Sequence, residues 1–151
     1  MRRSFLPAVL LLLAACHHSA GSGTMTDAEF RALVAGREWE MVLLAGGIPP
    51  TGSGGRRATI KFDSTVARAE GFAGCNRFGT AYETDGRAIR FAAVTTTRMA
   101  CSDGMDLERQ MTDVLERTRR LELIDDRLTL FDDHVALARF APVAPPRRDP
   151  R

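Results

Sequence analysis

Apolar positions along the chain recur with two different periods. Ala58-Thr59-Ile60-Lys61-Phe62 alternates apolar and polar side chains, the period of a half-buried strand. Trp39-Glu40-Met41-Val42-Leu43-Leu44 predicts a strand before it, and its tryptophan, the only one in the chain, belongs in the core. Val66 to Phe72 predicts another strand after a turn at Asp63-Ser64, weakened by Gly71. Thr80-Ala81-Tyr82-Glu83 and Ala88-Ile89-Arg90-Phe91 form a hairpin across Asp85-Gly86, a strong turn signal. Three further runs begin at Leu121, Leu128 and Val135. Tight acidic turns at Asp125-Asp126 and Asp132-Asp133 separate them.

The second period is helical. Met105, Leu107, Met111, Val114, Leu115 and Thr118 share one broad face of a helix over about 105–117, with the charged residues mostly away from it. A shorter helix is predicted at about 27–35. Thr26 and Glu29 fit a capping box, Phe30, Leu33 and Val34 share a face, and Gly36 stops it. Gly46 to Gly55 reads as a loop, Gly74 to Gly79 as a bend or bulge, and Thr95 to Cys101 as a polar crossing segment. Seven or eight short strands with one inserted helix give an α+β class rather than alternating βαβ units. A small curved antiparallel sheet or barrel packed against the main helix, with the short helix leading, would leave few exposed edges.

The N-terminus has a different pattern. Met1-Arg2-Arg3 precedes an apolar run from Phe5 to Ala15, interrupted by Pro7. A spanning helix needs about 20 apolar residues, so this run reads as a cleaved secretory signal. It ends in Leu13-Ala14-Ala15-Cys16, the bacterial lipoprotein pattern, which predicts cleavage before Cys16 and a lipid on its sulfur. His17 rather than Asp after Cys16 favours the outer membrane, facing the periplasm. The expected organisation is a signal at 1–15, a small polar tether at 16–25, one domain at 26–140 and a Pro- and Arg-rich disordered tail at 141–151. His17-His18 lacks the enclosing ligands of a metal site.

Charge changes with that cleavage. The full chain has 21 Lys+Arg against 19 Asp+Glu, a formal +2. Losing Arg2 and Arg3 brings the mature chain to zero, and the tail from Arg147 to Arg151 carries +2 of its own. The folded part is slightly acidic, so nucleic acid is not an expected partner. Membrane attachment would rest on lipid.

Three cysteines resolve as one lipidated residue plus Cys75 and Cys101, an even pair suited to an oxidising compartment. A disulfide, two free buried thiols, or metal ligation with His134 remain open from the residues alone, although no CxxC spacing supports metal. No catalytic constellation emerges. His17, His18 and His134 are the only histidines, and there is no G-x-S-x-G, P-loop or H-E-x-x-H pattern. Asn76 reads as a turn-maker. Arg98 could bond backbone carbonyls, pair with Glu108 or contact an anion. Glu108 suits a helix-surface or capping role better than that of a general acid.

Gly74-Cys75-Asn76-Arg77-Phe78-Gly79, then Thr96-Thr97-Arg98-Met99-Ala100-Cys101, then Glu108 and the helix to Leu115, then Leu128-Thr129-Leu130 resemble the META domain, also called the HslJ-like family. The match covers about 37–140. The resemblance implies a curved antiparallel sheet or barrel on a helix and marks Gly74, Asn76, Arg98, Met99 and Glu108 as motif positions; the disulfide expected from the even cysteine pair, Cys75–Cys101, would join its two motifs. It implies envelope location, links to stress tolerance and no established catalytic residues. With the lipoprotein pattern, the cysteine pair and the missing catalytic groups, the expectation is a non-catalytic envelope protein without a cofactor that acts on a protein partner. The alternative expectation is an acyl chain or small apolar ligand held in the barrel interior, suggested by the Met-bearing helix facing a curved sheet and by analogy with lipoprotein pilotins.

Overall fold

Alternation of side chains along each strand builds this molecule, and the computed structural model describes it over residues 25–144. The signal, Cys16 and most of the tether, and the tail from 145, lie outside the described residues. Helix α1 (Asp27–Leu33) leads into strands β1 (Glu38–Leu44), β2 (Thr59–Asp63), β3 (Arg68–Phe72), β4 (Arg77–Asp85), β5 (Ala88–Phe91) and β6 (Thr95–Thr96). Helix α2 (Met105–Arg117) follows, then β7 (Arg120–Ile124), β8 (Arg127–Phe131) and β9 (Ala136–Pro142). All pairings are antiparallel, in the order β3-β2-β1-β9-β8-β7-β5-β4, and β4 returns to β3. Eight strands therefore close a barrel. The ninth, β6, adds to β4 beside β5 through Phe78 opposite Thr96.

Closure buries one face of each strand. Trp39, Met41, Ile60, Phe62, Ile89, Leu128, Leu130 and Phe140 are almost wholly enclosed, as the period of two demands. Leu107, Met111, Val114 and Leu115 of α2 belong to the same buried cluster. Phe30 from α1 meets Phe62 edge-on with centroids 5.5 Å apart and Tyr82 at 5.6 Å. The Trp39 indole N–H donates to the Val34 carbonyl at 3.0 Å, which satisfies its one polar group inside the core. Gly71, read from the sequence as a weak point, is a point of close approach. A Cβ there would lie 1.9 Å from the Thr59 oxygen and 2.9 Å from the Phe78 ring.

Several expected boundaries move. Strand β4 starts at Arg77, three residues earlier than the alternation suggested, so the bend is confined to Gly74–Asn76. Strand β3 starts at Arg68 because Ala67 has a φ of 49° and ends the preceding turn, leaving Val66 61% exposed. Part of the segment read as a polar crossing is strand β6. The tail boundary expected at 141 falls inside β9, where Ala141 pairs with Glu40 and Pro142 with Trp39. Proline sits at that strand end, where the Val143 amide extends the ladder by one bond to the Glu38 carbonyl at 2.8 Å.

Two acidic turns hold the last three strands in register. Asp125 and Asp126 both adopt positive φ, 50° and 55°, in the two-residue link between β7 and β8. That is the backbone of a type I′ turn, which asparagine followed by glycine occupies with less strain. The Asp132 carboxylate accepts from the His134 and Val135 amides at 2.9 and 2.8 Å and from Arg117 at 2.9 Å. These donors hold its carboxyl down at about 2, against an ordinary 3.8. A depressed carboxyl adds stability that is complete above the unfolded value and lost as the pH falls towards 2. Acid unfolding of the wild type should therefore steepen between about pH 4 and 2. Asp132→Asn should flatten that interval; identical profiles would contradict the assignment. Asp125→Asn with Asp126→Gly should raise unfolding free energy by about 0.5–1 kcal/mol in denaturant titrations, with a decrease as the contrary result.

Candidate functional site

The motif residues meet where the β3–β4 bend, the segment after β6 and the start of α2 touch. Asn76 is 3% exposed, and its amide works in both directions. Its Oδ1 accepts from the Met99 amide and the Thr97 hydroxyl, each at 2.8 Å. Its Nδ2 donates to the Met99 carbonyl at 3.1 Å and to Glu108 Oε2 at 3.0 Å. The Asn76 backbone N–H donates to that same carboxylate oxygen at 2.9 Å. An amide N–H can only donate and a carboxylate can only accept, so these partners fix which end of the Asn76 side chain points where.

Three glycines let the backbones come this close. Gly74 has a φ of 127°, and a Cβ there would lie 2.6 Å from the Gly104 oxygen and 2.8 Å from Leu107 Cβ. Cβ atoms built on Gly52 or Gly104 would each fall 2.3 Å from the Gly74 oxygen. That oxygen accepts from the Ser53 amide at 2.7 Å. The Cys75–Cys101 disulfide, with Cα atoms 5.9 Å apart, joins the bend to the segment just before α2. Closing its 26-residue span stabilises the fold by about 3–4 kcal/mol in the loop-entropy picture.

The remaining motif positions face outward. Met99 is 62% exposed although both its backbone groups bond Asn76. Arg98 is exposed and forms no ion pair among the described residues, so the pairing with Glu108 read as an option in the sequence does not occur. Glu108 bonds Asn76 instead. Asn76 does more than turn the chain, as its side chain crosses to two other segments. Gly52 and Gly104 were not marked by the sequence patterns, because a glycine in a loop carries no sign of which backbone it will touch.

Chemically this arrangement holds segments together. The Thr97 hydroxyl donates to Asn76 and accepts from the Arg77 amide at 3.2 Å, and the two thiols are joined. Among the described residues no group of three or more His, Cys, Asp and Glu side chains gathers as a metal site. The barrel interior, the place expected for an apolar ligand, is filled by the enclosed side chains named above. Beside the motif lies an open groove of about 320 Å³ between β6 and α2.

The family described as META domain matches residues 32–144. No curated protein matches the chain. A solution structure of a protein from Burkholderia xenovorans is 21% identical, covers 96% of this chain and 99% of that chain, and superposes with a TM-score of 0.62. A second solution structure is 19% identical over 70% of this chain and 89% of that chain, with a TM-score of 0.54. At these identities the likeness extends to the fold.

Asn76→Ala should lower unfolding free energy by about 2–4 kcal/mol, because it strands several partly buried donors and acceptors at once. Glu108→Gln keeps an oxygen for both Asn76 bonds and should cost only about 1 kcal/mol, well below the loss in Glu108→Ala. Denaturant titrations of the oxidised protein measure all three. Equal losses in the two Glu108 variants would contradict the bonding described.

Proposed function

The chain belongs to the META-domain family, and from that premise we propose that it is a lipid-anchored protein of the bacterial envelope that acts by binding a partner rather than by catalysis. The observation that carries this reading is Asn76. Every hydrogen-bonding atom of its side chain is used within the protein, on Met99, Thr97 and Glu108, so the most distinctive polar residue of the motif has nothing left to offer a substrate. A general base or nucleophile needs the opposite, a reactive group aimed into open space.

Cys16 supports the anchor. It follows Leu13-Ala14-Ala15, and the chain from there to α1 is short, small and polar, as a tether requires. Residues 16–25 could span at most roughly 35 Å, which bounds how far the domain would sit from the anchor. The disulfide supports an oxidising compartment. A partner-binding role fits tolerance of envelope stress, where a small accessory domain works by contact. An acyl chain inside the barrel has less support, because Trp39, Phe62, Leu128, Leu130 and Phe140 already occupy that space.

Intact-mass analysis of the membrane-extracted protein tests the anchor. The expected species starts at Cys16 and carries an acylated glyceryl thioether; an unmodified Cys16 or a different mature start would overturn it. Under envelope stress, a deletion strain should be rescued by the wild type but poorly by Cys16→Ala exported through another signal. Equal rescue would remove the role of the anchor.

A further inference from the structure

The strand added outside the closed barrel has an unpaired side, and that side faces a helix. Strand β6 bonds only β4. The Thr97 amide donates to the Arg77 carbonyl, and Thr95 stands opposite Gly79 in the same alternation. In an antiparallel ladder the intervening residue turns its N–H and C=O the other way. Thr96 therefore directs both backbone groups away from β4, towards the groove that it lines with Val94, Met105, Thr112, Asp113 and Glu116.

Proteins usually guard such an edge with charge, proline or a covering element. Here the run from Phe91 to Thr97 has no charged residue and no proline, and four of its residues are β-branched. Two paired residues would hold a peptide weakly by themselves, and the helix supplies the second wall. Met105 is 40% exposed there and Val94 is partly exposed across from it, an apolar floor for alternate side chains of an extended chain. The rim is acidic. Glu108, Asp113 and Glu116 outnumber Arg109, which pairs with Asp106; Asp113 pairs with Arg117 at 3.1 Å, and Glu116 has no ion-pair partner among the described residues.

We propose that the free edge of β6 and the facing side of α2 form a docking groove for an extended, basic segment of a partner protein, which adds to the sheet as a further strand. The proposal rests on the partner-binding reading above and gives it a place and a chemistry. Main-chain bonds to Thr96 would supply register, apolar side chains would meet Val94 and Met105, and Lys or Arg would answer Glu116. The motif then has an indirect use. Asn76, Glu108 and the disulfide hold the segment after β6 against the start of α2, so they fix the spacing of the two walls.

Fluorescence anisotropy with the mature chain in detergent tests this, using a labelled eight-residue probe that alternates lysine with valine and threonine. The probe should bind saturably, weaken at least tenfold when its lysines become glutamates, and weaken as much when alternate backbone nitrogens are methylated. Thr96→Pro should lower affinity at least tenfold, and Glu116→Lys several-fold. Thr96→Pro removes an N–H that the native ladder does not use. The methylated probe gives the same information on the unaltered protein should that variant misfold. No saturable binding at millimolar probe, or equal binding of the methylated probe, would overturn strand addition; equal binding of the glutamate probe would overturn the charge assignment. Failure here leaves the lipid anchor standing, and an unmodified Cys16 would leave the groove standing.

Discussion

A single buried amide holds together the part of the molecule that the family motif describes. Asn76 bridges the β3–β4 bend, the segment after β6 and the first turn of α2, with donors and acceptors matched at both ends. In a mostly enclosed setting such a network is strong when complete and costly when broken, because each stranded partner loses water as well as its bond. The helix start needs this help. Its N-cap is Gly104, which has no side chain to cap the first turn. Glu108, one turn further on, instead faces the bend and receives the Asn76 backbone N–H.

Covalent and steric constraints act on the same spot. The disulfide fixes Cys75 to Cys101, and Gly52, Gly74 and Gly104 let three backbones touch where any side chain would collide. The surface ion pairs do not compete with this. Arg37–Asp126, Arg57–Glu40 and Arg117–Asp113 are all substantially exposed, and such pairs contribute roughly 0–1 kcal/mol each. Cohesion at the motif therefore comes from close packing, one cross-link and a satisfied polar network. The barrel behind it is an ordinary hydrophobic core.

Local chemistry made much of this legible. Helix α2 occupies the span its apolar face predicted, since a helical period sustained over 13 residues suits no strand. The capping box at Thr26 and Glu29 is present, because its signal and its hydrogen bonds lie within four residues. Strand β6 was not legible, because Thr95 and Thr96 have no partner pattern of their own and become a strand only beside Phe78 and Gly79. The closure of β5 onto β7 was equally hidden, as it rests on Ala88 opposite Arg120, far apart in the chain. For the site, the motif positions were visible but their bonds were not. Asn76 looked like a local turn residue, and its real partners lie 21 to 32 positions away.

Structure and function meet in the consequence of that rigidity. The Asn76 side chain uses its polar atoms internally, and its bonds tie the segment after β6 to the start of α2. The Met99 amide reports on this network most directly. Its residue is 62% exposed, so an ordinary surface loop would let that amide exchange quickly. Native-state hydrogen exchange should instead find it protected to about the level of the barrel amides, with protection lost in Asn76→Ala while the barrel amides away from the bend stay slow. Rapid exchange of the Met99 amide in the oxidised wild type would contradict the account.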